Sequence, residues 1–187
     1  KRVLLFDGAM GTEIQKLNPQ PQDFPNTKDG FNDGLILSRP EWIKQIHRSY
    51  LKAGADCIET NTFGGNKFKL DEYGYGDQTI EFNKRAAELA RGVCNEFQDK
   101  PHFVIGSMGP SGFLPSSNDP DLGQKPLDEI ITAFELQAEG LILGGVDALL
   151  IETSQDILEV KLVIEACHIA MNKTQKEIPI IANITLD

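Results

Sequence analysis

Leu4-Leu5-Phe6-Asp7-Gly8-Ala9-Met10-Gly11-Thr12 decides how the rest of the chain is read. An apolar run stops at a carboxylate, and a glycine-punctuated turn and a helical stretch follow at once. A buried strand that ends this way brings an acid and several free backbone N–H groups to one point. Such a point suits a small zwitterion: the acid faces an ammonium, and the N–H groups face a carboxylate. No lysine or arginine lies next to Asp7, so the N–H groups of Gly8 and Ala9 are the expected carboxylate binders. Gly8-x-x-Gly11 is not a dinucleotide fingerprint, and the chain contains no P-loop.

The same unit recurs downstream: a short apolar strand, a loop with polar residues, then an amphipathic helix. Strands are predicted over 3–7, 56–60, 103–106, 148–152 and 178–184. Between them the apolar spacing predicts four helices. The first opens at Ser38-Arg39-Pro40-Glu41, with Ser38 as cap and Glu41 completing a capping box, and ends at Gly54. The others run over 79–97, from about Pro126 to Gly144-Gly145, and over 154–171. Gly54-Ala55-Asp56-Cys57-Ile58-Glu59-Thr60 is echoed by Gly145-Val146-Asp147-Ala148-Leu149-Leu150-Ile151-Glu152-Thr153, two residues longer between Asp and Glu. A strand has period two, so the insertion keeps each glutamate on the same face relative to its aspartate. Convergence on a common strand pattern is the plainer explanation; repeated βα units fit better. Alternating strands and helices imply an α/β fold with a parallel sheet, either an open doubly wound sheet or part of a (β/α)8 barrel. The strand over 178–184 has no helix after it, so residues 1–187 are expected to be the N-terminal portion, about five βα units, of such a barrel. Residues 18–35 and 110–125 are rich in Pro, Gly, Asn and Asp and read as long loops after strands, where barrels keep their sites.

Composition narrows the partners. The 187 residues carry 18 Lys plus Arg against 28 Asp plus Glu, a formal net charge of −10. No basic cluster stands out, so nucleic acid and anionic membrane are not expected partners. Apolar runs are too short for a membrane span. The three cysteines, Cys57, Cys94 and Cys167, are scattered, with neither disulfide nor metal-ligand spacing. They read as core residues of a protein in a reducing cytoplasm. His47, His102 and His168 read as packing or surface residues.

Polar residues expected at strand C-terminal ends are Asp7; Glu59, Thr60, Asn61 and Thr62; Ser107; Glu152 and Thr153; and Asn183 and Asp187. Asp7 and Glu152 are the sharpest, because each ends an apolar strand where a carboxylate without a role is costly. A helix cap is the plainer use for either one alone. Glu59 and Thr62 sit on opposite faces of a regular strand; Thr62, with Asn61 beside it, is preferred for the site because the strand ends there. The turn at Gly106-Ser107-Met108-Gly109-Pro110 serves equally as a plain turn or a substrate contact.

Asp7-Gly8-Ala9-Met10-Gly11-Thr12, Ile58-Glu59-Thr60-Asn61-Thr62-Phe63, Gly109-Pro110, and Gly145-Val146-Asp147 with Ile151-Glu152-Thr153 resemble, in order along the whole chain, the zinc-dependent homocysteine S-methyltransferase family. Within it they resemble the N-terminal homocysteine-binding domain of the cobalamin-dependent methionine synthases. The resemblance implies a (β/α)8 TIM barrel with homocysteine at the strand C-terminal mouth. Asp7 and Glu152 would bind the substrate ammonium, the N–H groups of Gly8 and Ala9 its carboxylate, and Thr62 would line the pocket. The family's zinc is held by cysteines in G-x-N-C and G-G-C-C motifs on later strands. Neither motif occurs here, so no catalytic residue or metal ligand is assigned in this chain. The implied methyl donor is methylcobalamin, recharged from methyltetrahydrofolate, with both bound by remaining domains of the parent polypeptide. A free-standing enzyme using betaine or S-methylmethionine, and a non-catalytic amino-acid-binding half barrel, stay open as alternatives.

Overall fold

A computed structural model describes residues 2–185. Four strands, β1 (Cys57–Glu59), β2 (Phe103–Met108), β3 (Ala148–Ser154) and β4 (Ile180–Ile184), form one parallel sheet in the order β1-β2-β3-β4. The segment expected as a first strand lies beside β1, but only Phe6 bridges to Cys57, with the Asp7 N–H donating to the Cys57 carbonyl at 2.9 Å. Val3 is 90% exposed, and nothing among the described residues pairs with the outer side of this segment. An edge with one neighbour holds register only where a side chain packs, here at the half-buried Phe6.

Among the described residues seven α-helices accompany the sheet: α1 (Met10–Lys16), α2 (Leu35–Ser38), α3 (Pro40–Ala53), α4 (Lys67–Tyr73), α5 (Thr79–Cys94), α6 (Leu127–Leu143) and α7 (Ile157–Thr174). α3 starts with Pro40 in its first turn and stops at Gly54, whose φ of 108° only glycine adopts without strain. The expected capping box does not form. Ser38 belongs to α2, and its buried hydroxyl has no hydrogen-bond partner. α7 begins three residues later than expected because β3 continues through Ser154, and Asp156 caps the helix by accepting from the N–H groups of Leu158 and Glu159. α5 and α6 pack closely because Gly140 and Gly144 face α5. A Cβ on Gly140 would lie 2.3 Å from the Ile80 carbonyl oxygen.

Period-two alternation sorts the strand residues onto two faces. Ile58, Val104, Met108, Leu149 and Ile151 pack against α5, α6 and α7. Cys57, Ile105, Ala148 and Leu150 gather on the other face with Phe6 and Phe103, and no helix among the described residues covers them. A doubly wound sheet places helices on both faces and reverses its strand order. Among the described residues the helices lie on one face and the strands run in sequence, without such a reversal. The glycine–aspartate echo is also tertiary. The Leu5 N–H donates to Asp56 and the Leu5 carbonyl accepts the Asp56 N–H; Val104 and Asp147 repeat both bonds. Each Gly-x-Asp thus clips the start of its strand to the preceding one.

The 18–35 segment is not a solvated loop. Two short 3-10 turns, Pro21–Asp23 and Pro25–Thr27, and α2 fold Phe24, Phe31, Leu35 and Ile36 into a second core with Ile14, Ile43, Leu70 and Phe82. Phe31 stacks on Tyr73 of α4 at 4.0 Å between ring centroids, which accounts for a helix that periodicity did not signal. Cys57, Cys94 and Cys167 are buried, as expected of core residues. No helix among the described residues is long and apolar enough to cross a membrane.

Two properties of this fold are testable. The free side of β4 leaves Ile181 and Ile184 partly exposed, beside the helix-free apolar face. An unpaired edge is a template for pairing, so a polypeptide of these 187 residues should sediment as dimers or larger species. A strictly monomeric, cooperative unfolder would contradict this. His47 on α3 is fully buried with both ring nitrogens unbonded, and burial lowers its pKa from 6.5 to about 4. Between those values the unfolded chain binds the proton and the folded chain does not, so stability falls as pH drops through that window. The loss approaches about 3 kcal/mol by linkage. Urea unfolding across the window should show this slope, and His47→Leu should flatten it.

Candidate functional site

One cavity of ≈ 410 Å³ opens at the C-terminal end of the sheet. Asp7, Glu59 and Glu152 line it together with Gly8, Ala9, Ser107, Asn61 and the loop residues Asn32 and Asp33. The sheet explains the convergence. Ile105 and Leu150 share the helix-free face, so Ser107 and Glu152, two residues further along their strands, surmount that face. Apolar side chains form the floor and polar ones the rim.

Asp7 folds over the end of β1, and its carboxylate accepts the Glu59 N–H at 3.1–3.2 Å. Burial pushes its pKa up to about 8, partly offset by the Glu59 N–H and raised further by the Glu59 and Glu152 charges. Glu59 rises to about 7, chiefly by burial and then by Glu152. Asp33 is raised to about 6 by burial, against the Gly64 N–H that it accepts at 3.1 Å. No lysine or arginine among the described residues lines the cavity. Carboxylates crowded at a site without a cation are displaced from their usual range, as at many functional sites. A ligand ammonium supplies the missing positive charge.

Glu152 is aimed by Ser107, whose hydroxyl donates to Oε1 at 2.5 Å. Ser107 is itself held: its N–H donates to the Thr60 hydroxyl at 3.0 Å and its carbonyl accepts from the Thr62 hydroxyl at 2.8 Å. The two threonine hydroxyls lie 2.6 Å apart, and Gln137 of α6 donates to the carbonyls of Thr62 and Ser107. Gly8 passes so close to Tyr50 that a Cβ there would sit 3.0 Å from the phenol oxygen, which donates to the Ala9 carbonyl. Among the described residues, the Gly8 and Ala9 N–H groups donate to no protein acceptor.

The structure brings Asp7, Gly8, Ala9 and Glu152 to one cavity. Thr62 does not line it and needs correction: it is fully buried, with its hydroxyl committed to Ser107 beneath the rim. Glu59, Thr60 and Asn61 all reach the cavity, because β1 ends at Glu59 and strict alternation lapses after it. Asn32 and Asp33 were missed. Composition marked 18–35 as a site-type loop but did not single out these two residues; the Asn61 amide donates to the Asn32 carbonyl and the Gly64 N–H to Asp33, and these long-range bonds bring them to the cavity. Asp187 lies outside the described residues.

The thiols do not fit a zinc ion. Cys57 belongs to the apolar face cluster, Cys94 and Cys167 to the helix-packed core. Burial pushes their pKa values up to about 11, 11 and 12, away from the thiolate a metal needs.

Comparisons with known proteins bear on the family and the fold. The family model for homocysteine S-methyltransferase matches residues 4–187. The methionine synthase of Mycobacterium tuberculosis is 37% identical over 189 residues, covering 100% of this chain and 15% of the relative. That of Mycobacterium leprae is 36% identical with the same coverage. The chain therefore spans only a small part of the length of these relatives. Among solved structures, the metallated form of the homocysteine methyltransferase MmuM from Escherichia coli superposes with a TM-score of 0.78 at 20% identity, covering 100% of this chain and 65% of that one. The apo form of the same protein gives 0.71 at 21% identity, covering 100% and 61%. The fold is shared with those structures, and the match across residues 4–187 places the chain in the homocysteine S-methyltransferase family.

Proposed function

We propose that this chain is the homocysteine-binding part of a homocysteine S-methyltransferase of the methionine synthase type. The observation that carries the proposal is the cavity at the sheet's C-terminal end, where Asp7, Glu59 and Glu152 converge with no lysine or arginine among the described residues. Asp7 and Glu152 take the ammonium, with Glu59 adding to the field. The N–H groups of Gly8 and Ala9, free of protein acceptors, take the carboxylate. Both ends of the amino acid are then fixed, and the side-chain thiol is left free to project from the cavity. A reacting atom held in one orientation gains rate through lost freedom already accounted for in binding.

In this proposal the four-stranded parallel sheet is the N-terminal portion of a (β/α)8 barrel, and its uncovered apolar face is the barrel interior. Cys57, Cys94 and Cys167 do not fit zinc, so the cysteine ligands of the family's metal are placed outside residues 1–187. No step is assigned to the metal here. Methylcobalamin, recharged from methyltetrahydrofolate, is the proposed methyl source, carried by other domains of a parent polypeptide in a reducing cytoplasm. Calorimetric titration of the full-length polypeptide with L-homocysteine tests the assignment. Saturable binding to one site per chain is expected, with homoserine competing because it shares the amino-acid end. Absence of binding would overturn the proposal.

A further inference from the structure

Thr153, directly after Glu152, has a φ of 59°. A β-branched residue rarely enters that region, and when it does the surroundings must hold it there. At the same point β3 slips its register against β4, between Ile151 and Ser154. The backbone that carries Glu152 is thus kinked, and something must fix the kink.

Glu159, in the first turn of α7, is 1% exposed and forms no ion pair among the described residues. Its Oε2 accepts the Ser154 hydroxyl at 3.0 Å, immediately after the kink. Its Oε1 accepts the Ser111 N–H at 2.9 Å and also the Ser111 hydroxyl. Ser111 follows β2, the strand that presents Ser107. One buried carboxylate therefore ties together the tails of the two strands whose side chains form the Ser107–Glu152 hydrogen bond.

Resting on the homocysteine reading of the cavity, we infer that Glu159 is a positioning residue: by clamping Ser111 and Ser154 it sets the spacing of Ser107 and Glu152 and so aims Glu152 at the substrate ammonium. Glu159 does not touch the cavity. Its effect on the ligand passes through Glu152, and that dependence separates positioning from general support of the fold.

The test is a double-mutant cycle on the full-length polypeptide, read as the homocysteine dissociation constant by calorimetry. Glu159→Ala should weaken binding by about tenfold in the wild-type background and by less than about twofold when Glu152 is already glutamine. Glu159→Gln keeps an acceptor for Ser111 and turns its amide to the Ser154 oxygen, so it should stay within about threefold of wild type. Where Glu159→Ala does not fold, Ser154→Ala, which removes the Oε2 contact together with the longer bond to the Asp156 carbonyl at 3.4 Å, enters the same cycle with the same expected non-additivity. Equal losses in both backgrounds, or wild-type affinity in Glu159→Ala, would overturn the positioning role while homocysteine binding and its sensitivity to Glu152→Gln stand. A wild-type protein that does not bind homocysteine would overturn the reading of the cavity, and the positioning role with it.

Discussion

Glu152→Gln is expected to weaken homocysteine binding by about ten- to a hundredfold, the loss of one charge-assisted hydrogen bond to an ammonium. The substitution is nearly isosteric, and the Ser107 hydroxyl can still donate to the remaining side-chain oxygen. The kink at Thr153 and the floor of Ile105 and Leu150 are untouched. Only the charge facing the ligand is removed. In a turnover assay the change should appear in KM, with kcat within about threefold, because an ammonium held alike in ground and transition states contributes uniform binding. Unchanged affinity would remove Glu152 from the site. A collapse of kcat at saturating homocysteine would place Glu152 in the chemical step.

The second large effect concerns pH. In the ligand-free cavity the Asp7 carboxyl has a pKa of about 8 and Glu59 of about 7. An ammonium prefers them ionised, so binding expels protons where these groups are still protonated. The sign follows: affinity rises as pH climbs towards about 8, and each pH unit below the pKa of an essential carboxyl costs about tenfold. Titrations in two buffers of different ionisation enthalpy should count the released protons. Asp7→Asn should abolish both most of the affinity and the larger share of the release. A pH-independent affinity between about pH 6 and about pH 8 would contradict the assignment.

Asp7 also ties function to stability. Its ordinary value is 3.8 and its folded value about 8. Between the two, the folded chain keeps a proton that the unfolded chain has lost, so stability falls as pH rises through this window. Asp7→Asn should therefore stabilise the ligand-free protein near the upper end of the window while it destroys binding. A site that is held together poorly when empty and well when filled is the usual trade between activity and stability.

Much of the fold was legible from local pattern. Gly54 and Gly145 mark helix ends because their backbones are left-handed, with φ of 108° and 90°. Alternation in 148–152 placed Glu152 on the face opposite Ile151 because strand geometry has period two. Patterns that depend on neighbours misled. Ser38-x-x-Glu41 has the form of a capping box, yet α2 claims Ser38 and leaves Arg39 at the cap. Proline and asparagine in 18–35 marked an irregular loop of the kind that carries sites, but not that Phe24 and Phe31 would find a core on α3, α4 and α5.

Sequence alone pointed Asp7 and Glu152 to the C-terminal end of one parallel sheet, since strand period and βα alternation are encoded residue by residue, although Asp7 follows only a single bridge at Phe6 and β3 runs two residues past Glu152. Tertiary structure alone decided that Glu59 and Asp33 join them, that Thr62 withdraws beneath Ser107, and that Glu159 clamps two strand tails. Those roles depend on hydrogen bonds between residues distant in the chain, and no local pattern specifies which donor will lie across from which acceptor once the backbone has folded.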